Sequence, residues 1–111
     1  MPVNSREKGT RGERELASCL RKYGFDARRG QQHAGGVESP DIRHNIPGLH
    51  LECKRVERLN IRQAYEQACS DCGDLMPVVV FRQNRTTWLV ALSLDDFAKL
   101  LLERQQRGNA A

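Results

Sequence analysis

Two short segments carry the residues best suited to chemistry, Pro40-Asp41 and Glu52-Cys53-Lys54. The stretch Leu49-His50-Leu51-Glu52-Cys53-Lys54 alternates as a strand does. At a period of two, Leu49, Leu51 and Cys53 point one way, and His50, Glu52 and Lys54 the other. Asn45, Pro47 and Gly48 signal a turn between the segments, so a hairpin would bring Asp41 on one strand to Glu52 on the next. Two carboxylates and an ammonium meeting at one buried point repel or neutralise one another, and a divalent cation resolves that. Hard oxygen ligands favour magnesium or manganese over zinc.

The elements that must position these groups follow from pattern and punctuation. Residues 1–8 read as a polar, mobile arm. A helix is expected over residues 10–23, ended by Gly24, with Leu16, Ala17 and Leu20 as its buried stripe. Glu13 lies three and four residues before Leu16 and Ala17, in the centre of that apolar face, where a carboxylate must be paired or ligate something. Arg14 and Glu15 fall off the stripe and read as solvated. Strands are expected over residues 25–29, 41–45 and 49–56, with a polar loop over 30–39. Pro40 biases Ser39 toward an extended conformation.

Asn60 reads as the N-cap of a helix over residues 61–72, with Ile61, Ala64, Tyr65 and Ala68 inward and Gly73 as its stop. The apolar run over residues 76–81 suits a strand covered on both faces. Residues 83–86 form a turn, and residues 87–92 another strand, carrying the only Trp, Trp88. Ser93-Leu94-Asp95-Asp96 resembles a capping box with Asp in place of Glu. It opens a last helix with Phe97, Leu100 and Leu101 inward, and residues 105–111 are expected to be disordered. The order helix, strand, strand, strand, helix, strand, strand, helix gives an α/β fold with a central mixed β-sheet flanked by helices. In it an antiparallel hairpin carries the acids.

With 111 residues, the chain is expected to form one domain over 1–111, with a modest core that gains from dimerisation. Eighteen Lys and Arg stand against fourteen Asp and Glu, a net charge of +4 that favours a polyanion without making a polycation. No apolar run approaches the ~20 residues that span a bilayer, so no membrane partner is expected. The N-terminus lacks a signal-peptide core, which predicts an intracellular, cytoplasmic location. Cys69-Ser70-Asp71-Cys72 has zinc-ligand spacing, but no second Cys or His pair completes a site. Free thiols are expected at Cys19, Cys53, Cys69 and Cys72.

Pro40-Asp41 with Glu52-x-Lys54 resembles the core motif of the PD-(D/E)xK nuclease superfamily. The run Lys8-Gly9-Thr10-Arg11-Gly12-Glu13-Arg14-Glu15-Leu16 is similar to the N-terminal helix signature of archaeal-type Holliday junction resolvases and of small phage nucleases of the same group. The resemblance covers about residues 8–92. It implies a restriction-endonuclease-like fold in which Asp41, Glu52 and the backbone carbonyl of Cys53 ligate Mg2+, with Mn2+ able to substitute. It further implies that Glu13 is a direct or water-mediated ligand, that Lys54 orients or activates the attacking water, and that Gln67 is a polar residue near the site. Ser39 is a candidate loop contact.

No Ser-His-Asp or Cys-His set suggests a covalent route. The remaining cations suit phosphates: Lys8, Arg11 and Arg14 near the first helical turn, Arg28 and Arg29 before the loop, Arg55 and Arg58 after the core strand. Aromatics are 5% of residues, which argues against base stacking and for contact with the backbone and shape of branched or duplex DNA. Paired cuts at a four-way junction are easiest for a twofold homodimer, whose surface Trp88, Val90 or the last helix could supply. The expectation is a metal-dependent resolvase. The alternatives are another repair or restriction-type nuclease, a non-catalytic nucleic-acid-binding module, or a zinc adaptor built on Cys69 and Cys72.

Overall fold

The structure, a computed structural model, describes residues 5–30 and 42–109, with side chains from 9–30 and 42–108. Its elements come in the expected order: α1 (Ser5–Lys22), β1 (Ala27–Arg29), β2 (Ile42–His44), β3 (Leu49–Arg55), α2 (Ile61–Asp71), β4 (Met76–Arg82), β5 (Leu89–Ala91) and α3 (Leu94–Asn109). The architecture is α/β, with β3, β4 and β5 forming a mixed sheet and β1 and β2 a separate two-stranded ribbon.

Alternation along the strands divides the core in two. On one side Leu51 and Cys53 of β3 and Val78 and Val80 of β4 meet Leu16 and Ala17 of α1, with Ala27 and Ile42 from the ribbon. On the other side Val79 packs with Ala64 and Ala68 of α2. The valine run of β4 is therefore covered on both faces, as its continuous apolar character predicts. Each buried valine stabilises the fold by roughly 1.5–3 kcal/mol. The Asn60 side chain caps α2 by accepting from the Gln63 N–H at 3.1 Å. At the end of α1, Gly24 takes a φ of 100°, and the Phe25 N–H closes on the Leu20 carbonyl at 3.1 Å.

Several expectations are corrected. The hairpin that was to carry the acids is not a ladder. β2 pairs antiparallel with β1, and β3 pairs in parallel with β4 over its whole length, from Leu49↔Met76 to Arg55↔Arg82. A three-residue β2 offers few ladder bonds, whereas the apolar β4 offers a seven-residue partner buried on both faces. Helix α1 starts at Ser5, inside the supposed arm, because Arg, Glu and Lys propagate a helix well. For the same reason α3 continues through Arg104, Gln105, Gln106 and Arg107 to Asn109, where disorder was expected. Phe97 and Leu101 are not inward but about half exposed, and Ile61 is also exposed. Trp88 precedes β5 and packs, partly buried, against the α1-side core. The expected loop over residues 31–39 lies outside the described residues.

Gly12 marks where α1 crosses β3. A Cβ there would sit 2.6 Å from the Arg55 Cβ, the root of that side chain and not a flexible tip. Gly12→Ala is expected to lower stability by about 1–3 kcal/mol through this overlap, although alanine is the better helix former. Gly9→Ala meets nothing within 4 Å and should raise stability by up to about 1 kcal/mol. Urea denaturation of the two variants reads this opposition directly. Equal effects at both positions would contradict it.

Candidate active site

Strand β3 carries three polar residues on its α2 face, His50, Glu52 and Lys54, and the structure brings them into one line. The Glu52 carboxylate is 4% exposed. Its Oε1 lies 3.7 Å from Lys54 Nζ, and its Oε2 lies 3.3 Å from His50 Nε2. Helix α2 contributes Gln67, whose Oε1 accepts from Lys54 Nζ at 3.5 Å. This helix packs on the sheet through Ala64 and Ala68, so its small residues let the backbone approach while Gln67 reaches over to the lysine. An ionised carboxylate taken out of water is strongly unfavourable unless charges or donors replace the lost hydration. Lys54 and His50 serve that purpose.

Glu13 is buried at 7% exposure, as its place on the α1 stripe predicts, and it is paired. Arg29 of β1 donates from Nε to Glu13 Oε2 at 2.7 Å and from Nη2 to the Thr10 hydroxyl at 3.4 Å. Glu15 is not simply solvated. Its Oε2 accepts from Arg55 Nε at 2.9 Å and Arg82 Nη1 at 3.1 Å, tying α1 to the ends of β3 and β4. Of the cations expected to face a polyanion, Arg11, Arg14, Arg28 and Arg58 are exposed. Arg29 and Arg55 are instead held by Glu13 and Glu15. The Cys53 side chain is buried in the α1-side core, the opposite face from Glu52. Asp41, Ser39 and the Lys8 side chain lie outside the described residues.

Among the described residues no group of three His, Cys, Asp or Glu is placed to hold a metal ion. The described part of the proposed donor set is Glu52, the Cys53 carbonyl and Glu13, and oxygen donors of this kind fit a hard divalent cation. Cys72 is a poor alternative centre. Its thiol donates to the Cys69 carbonyl at 3.2 Å, burial first and the neighbouring Cys69 second push its pKa up, and no group of three potential ligands gathers there among the described residues.

Two features escaped the sequence reading. His50 shares the face of Glu52, and the period of two already shows this, yet nothing local marks it as the carboxylate's partner. His44 neighbours it. Burial holds the His44 imidazole below its usual range, opposed by a hydrogen bond with the Leu49 backbone and reinforced by His50. The bridge from Glu15 to Arg55 and Arg82 joins residues 40 and 67 positions apart, a separation that no local pattern encodes.

Comparisons with known proteins agree with this fold. The model of the phage PDDEXK endonuclease family matches residues 4–109. Protein D14 of Escherichia phage T5 is 31% identical over 120 residues, which cover 86% of this chain and 75% of that protein. Among solved structures, Hjc of Archaeoglobus fulgidus, a Holliday junction resolvase from an archaeal hyperthermophile, superposes with a TM-score of 0.53. It is 28% identical and covers 75% of this chain and 70% of its own.

The Glu13–Arg29 pair joins α1 to the ribbon. Arg29→Ala is expected to lower stability by roughly 1.5–3 kcal/mol, the usual loss for a hydrogen bond to a charged partner. Chemical denaturation at neutral pH measures it, and a loss near zero would show the pair to be idle.

Proposed function

This chain belongs to the phage PDDEXK endonuclease family, and from that membership we propose that it is a divalent-metal-dependent DNA endonuclease selective for branched DNA, of the Holliday junction resolvase type. The observation that carries the reading is the buried Glu52 carboxylate with Lys54 beside it and Gln67 bracing the lysine. The likeness to Hjc supports the choice of junctions over plain duplex. The single nuclease domain expected over residues 1–111 is part of the same proposal.

In this reading Asp41, Glu52 and the Cys53 carbonyl would hold Mg2+ or Mn2+. Glu13, whose Oε2 is occupied by Arg29, would act through water. A bound divalent cation supplies Lewis acidity and lowers the pKa of the attacking water. Glu52 holds its carboxylate at a fixed depth because His50 and the strand leave it little freedom. Lys54 places a positive charge beside the scissile phosphate and the incoming water, where charge grows in the transition state. Gln67 keeps the lysine on that side of the strand. The exposed Arg11, Arg14 and Arg58, with Lys8, would meet the DNA backbone.

A homodimer completes the proposal. Strand β5 is a sheet edge, its Val90 is 57% exposed, and the adjoining Leu94 of α3 is 78% exposed. Helix α3 makes few contacts with the rest of the described chain, and an isolated helix of its length is marginal in water. Its acids, Asp95 and Asp96, stand at one end and Arg104 and Arg107 toward the other. Two copies of α3 packed antiparallel about a twofold axis would bury Phe97 and Leu101 and set each acidic end against a basic one.

The purified chain is expected to cut a synthetic four-way junction into nicked duplexes with magnesium and not with EDTA. Glu52→Gln should abolish cutting while binding persists, and Lys54→Ala should slow it by roughly 10²–10³-fold. Full activity of Glu52→Gln would refute the site, and equal cutting of linear duplex would refute junction selectivity. Separately, Leu101→Glu should convert a dimer in sedimentation into a folded monomer. A wild-type chain that sediments as a monomer would remove the dimer from the proposal.

A further inference from the structure

The β1–β2 ribbon sets Arg28 directly opposite Arg43. Both are exposed, and neither joins an ion pair among the described residues, in contrast to Arg29, Arg55 and Arg82. Like charges facing one another across an antiparallel pair destabilise it. Beside them opens a cavity of about 440 Å³, lined by both arginines together with His44, Asn45 and His50. That volume lies within the range of ligand clefts. Its only acid among the described residues is Asp26. The cavity also adjoins the Glu52 site, because His50 lines the one and contacts the other. An anion held here would therefore lie next to the buried carboxylate and its lysine.

We propose that this cavity is a phosphate-binding site in which Arg28 and Arg43 clamp a backbone phosphodiester of the DNA strand beside the bond to be cut. The inference rests on the nuclease reading and adds to it a second anchoring point and its ligand chemistry. Guanidinium groups suit this task because their forked donors match phosphate oxygens. A bound phosphate also cancels the repulsion between the two arginines, so the free ribbon is held in a state that binding relieves. His44 acts as wall and not as clamp. Its Nδ1 accepts from the Ile46 N–H at 3.0 Å, which fixes the ring against the β2–β3 turn. Asn45 steadies the same end of the ribbon, its Oδ1 accepting from the Asp26 N–H at 3.1 Å.

The test compares the wild-type chain with Arg28→Gln/Arg43→Gln and with Arg43→Lys. Thermal unfolding is followed in sodium chloride and in sodium phosphate at matched ionic strength. Binding of a labelled four-way junction is followed by anisotropy without divalent metal, across a salt series. The double variant should melt higher than wild type in chloride and lose the stabilisation that phosphate confers. It should bind the junction roughly tenfold more weakly, with a salt slope smaller by about 1–2. Arg43→Lys should recover part of the affinity. Unchanged affinity and slope in the double variant would overturn the proposal. If phosphate stabilisation is lost while DNA affinity stays unchanged, the cavity takes free phosphate and the DNA assignment fails. Neither result touches the catalytic reading, which stands or falls on the loss of cutting in Glu52→Gln.

Discussion

Burial of one charged group, the Glu52 carboxylate, constrains much of the rest. At 4% exposure it has lost nearly all contact with water, and that loss is tolerable only where other charges or donors stand in. Lys54 and His50 flank it on the same strand at two-residue spacing, so the pleat itself delivers the compensation. The strand must then be held rigidly, and β4 does this with a full-length parallel pairing. The opposite face of β3 seals against α1 with Leu51 and Cys53. A carboxylate so placed contributes little to stability relative to an apolar residue of similar shape. The proposed catalytic role accounts for its presence better than folding does.

The basic residues divide into two populations with different work. Arg29, Arg55 and Arg82 lie against Glu13 and Glu15 and knit α1 to the ribbon and the sheet. Arg11, Arg14, Arg28, Arg43 and Arg58 remain exposed. Only two acids, Glu13 and Glu52, are buried among the described residues, so the excess of cations in the net charge of +4 is carried at the surface by arginines such as these. Composition alone cannot make this distinction. It follows from which side of α1, and which side of the ribbon, a given arginine leaves the backbone.

What could be read from the sequence was local. Alternation in β3 placed Glu52 and Lys54 on one face, helical spacing placed Glu13 inward, and Asn60 and Gly24 marked helix ends. Pairing between strands was not legible in the same way. The second and third strands looked like partners in a hairpin because a turn separates them, yet β2 turned to β1 and β3 to β4. Strand choice is settled by total buried area and ladder length, and both depend on residues far along the chain. The bridges from Glu15 were invisible for the same reason. The exposure of α3 was missed because an amphipathic stripe shows that a face needs covering, not whether this chain covers it.

In the proposed reading the catalytic end and the dimerising end of the fold lie apart. The sheet is asymmetric. β3 carries its charged groups at one edge beside the ribbon, while β5 closes the other edge with exposed Leu89 and Val90 leading into α3. Polar chemistry and apolar surface are thereby kept on opposite margins of three strands. An apolar margin next to the proposed site would desolvate the phosphates that reading brings to it. A charged margin would in turn prevent two copies from meeting. Separation across β4, whose valines face both cores, would let one small sheet serve both proposed roles without either interfering with the other.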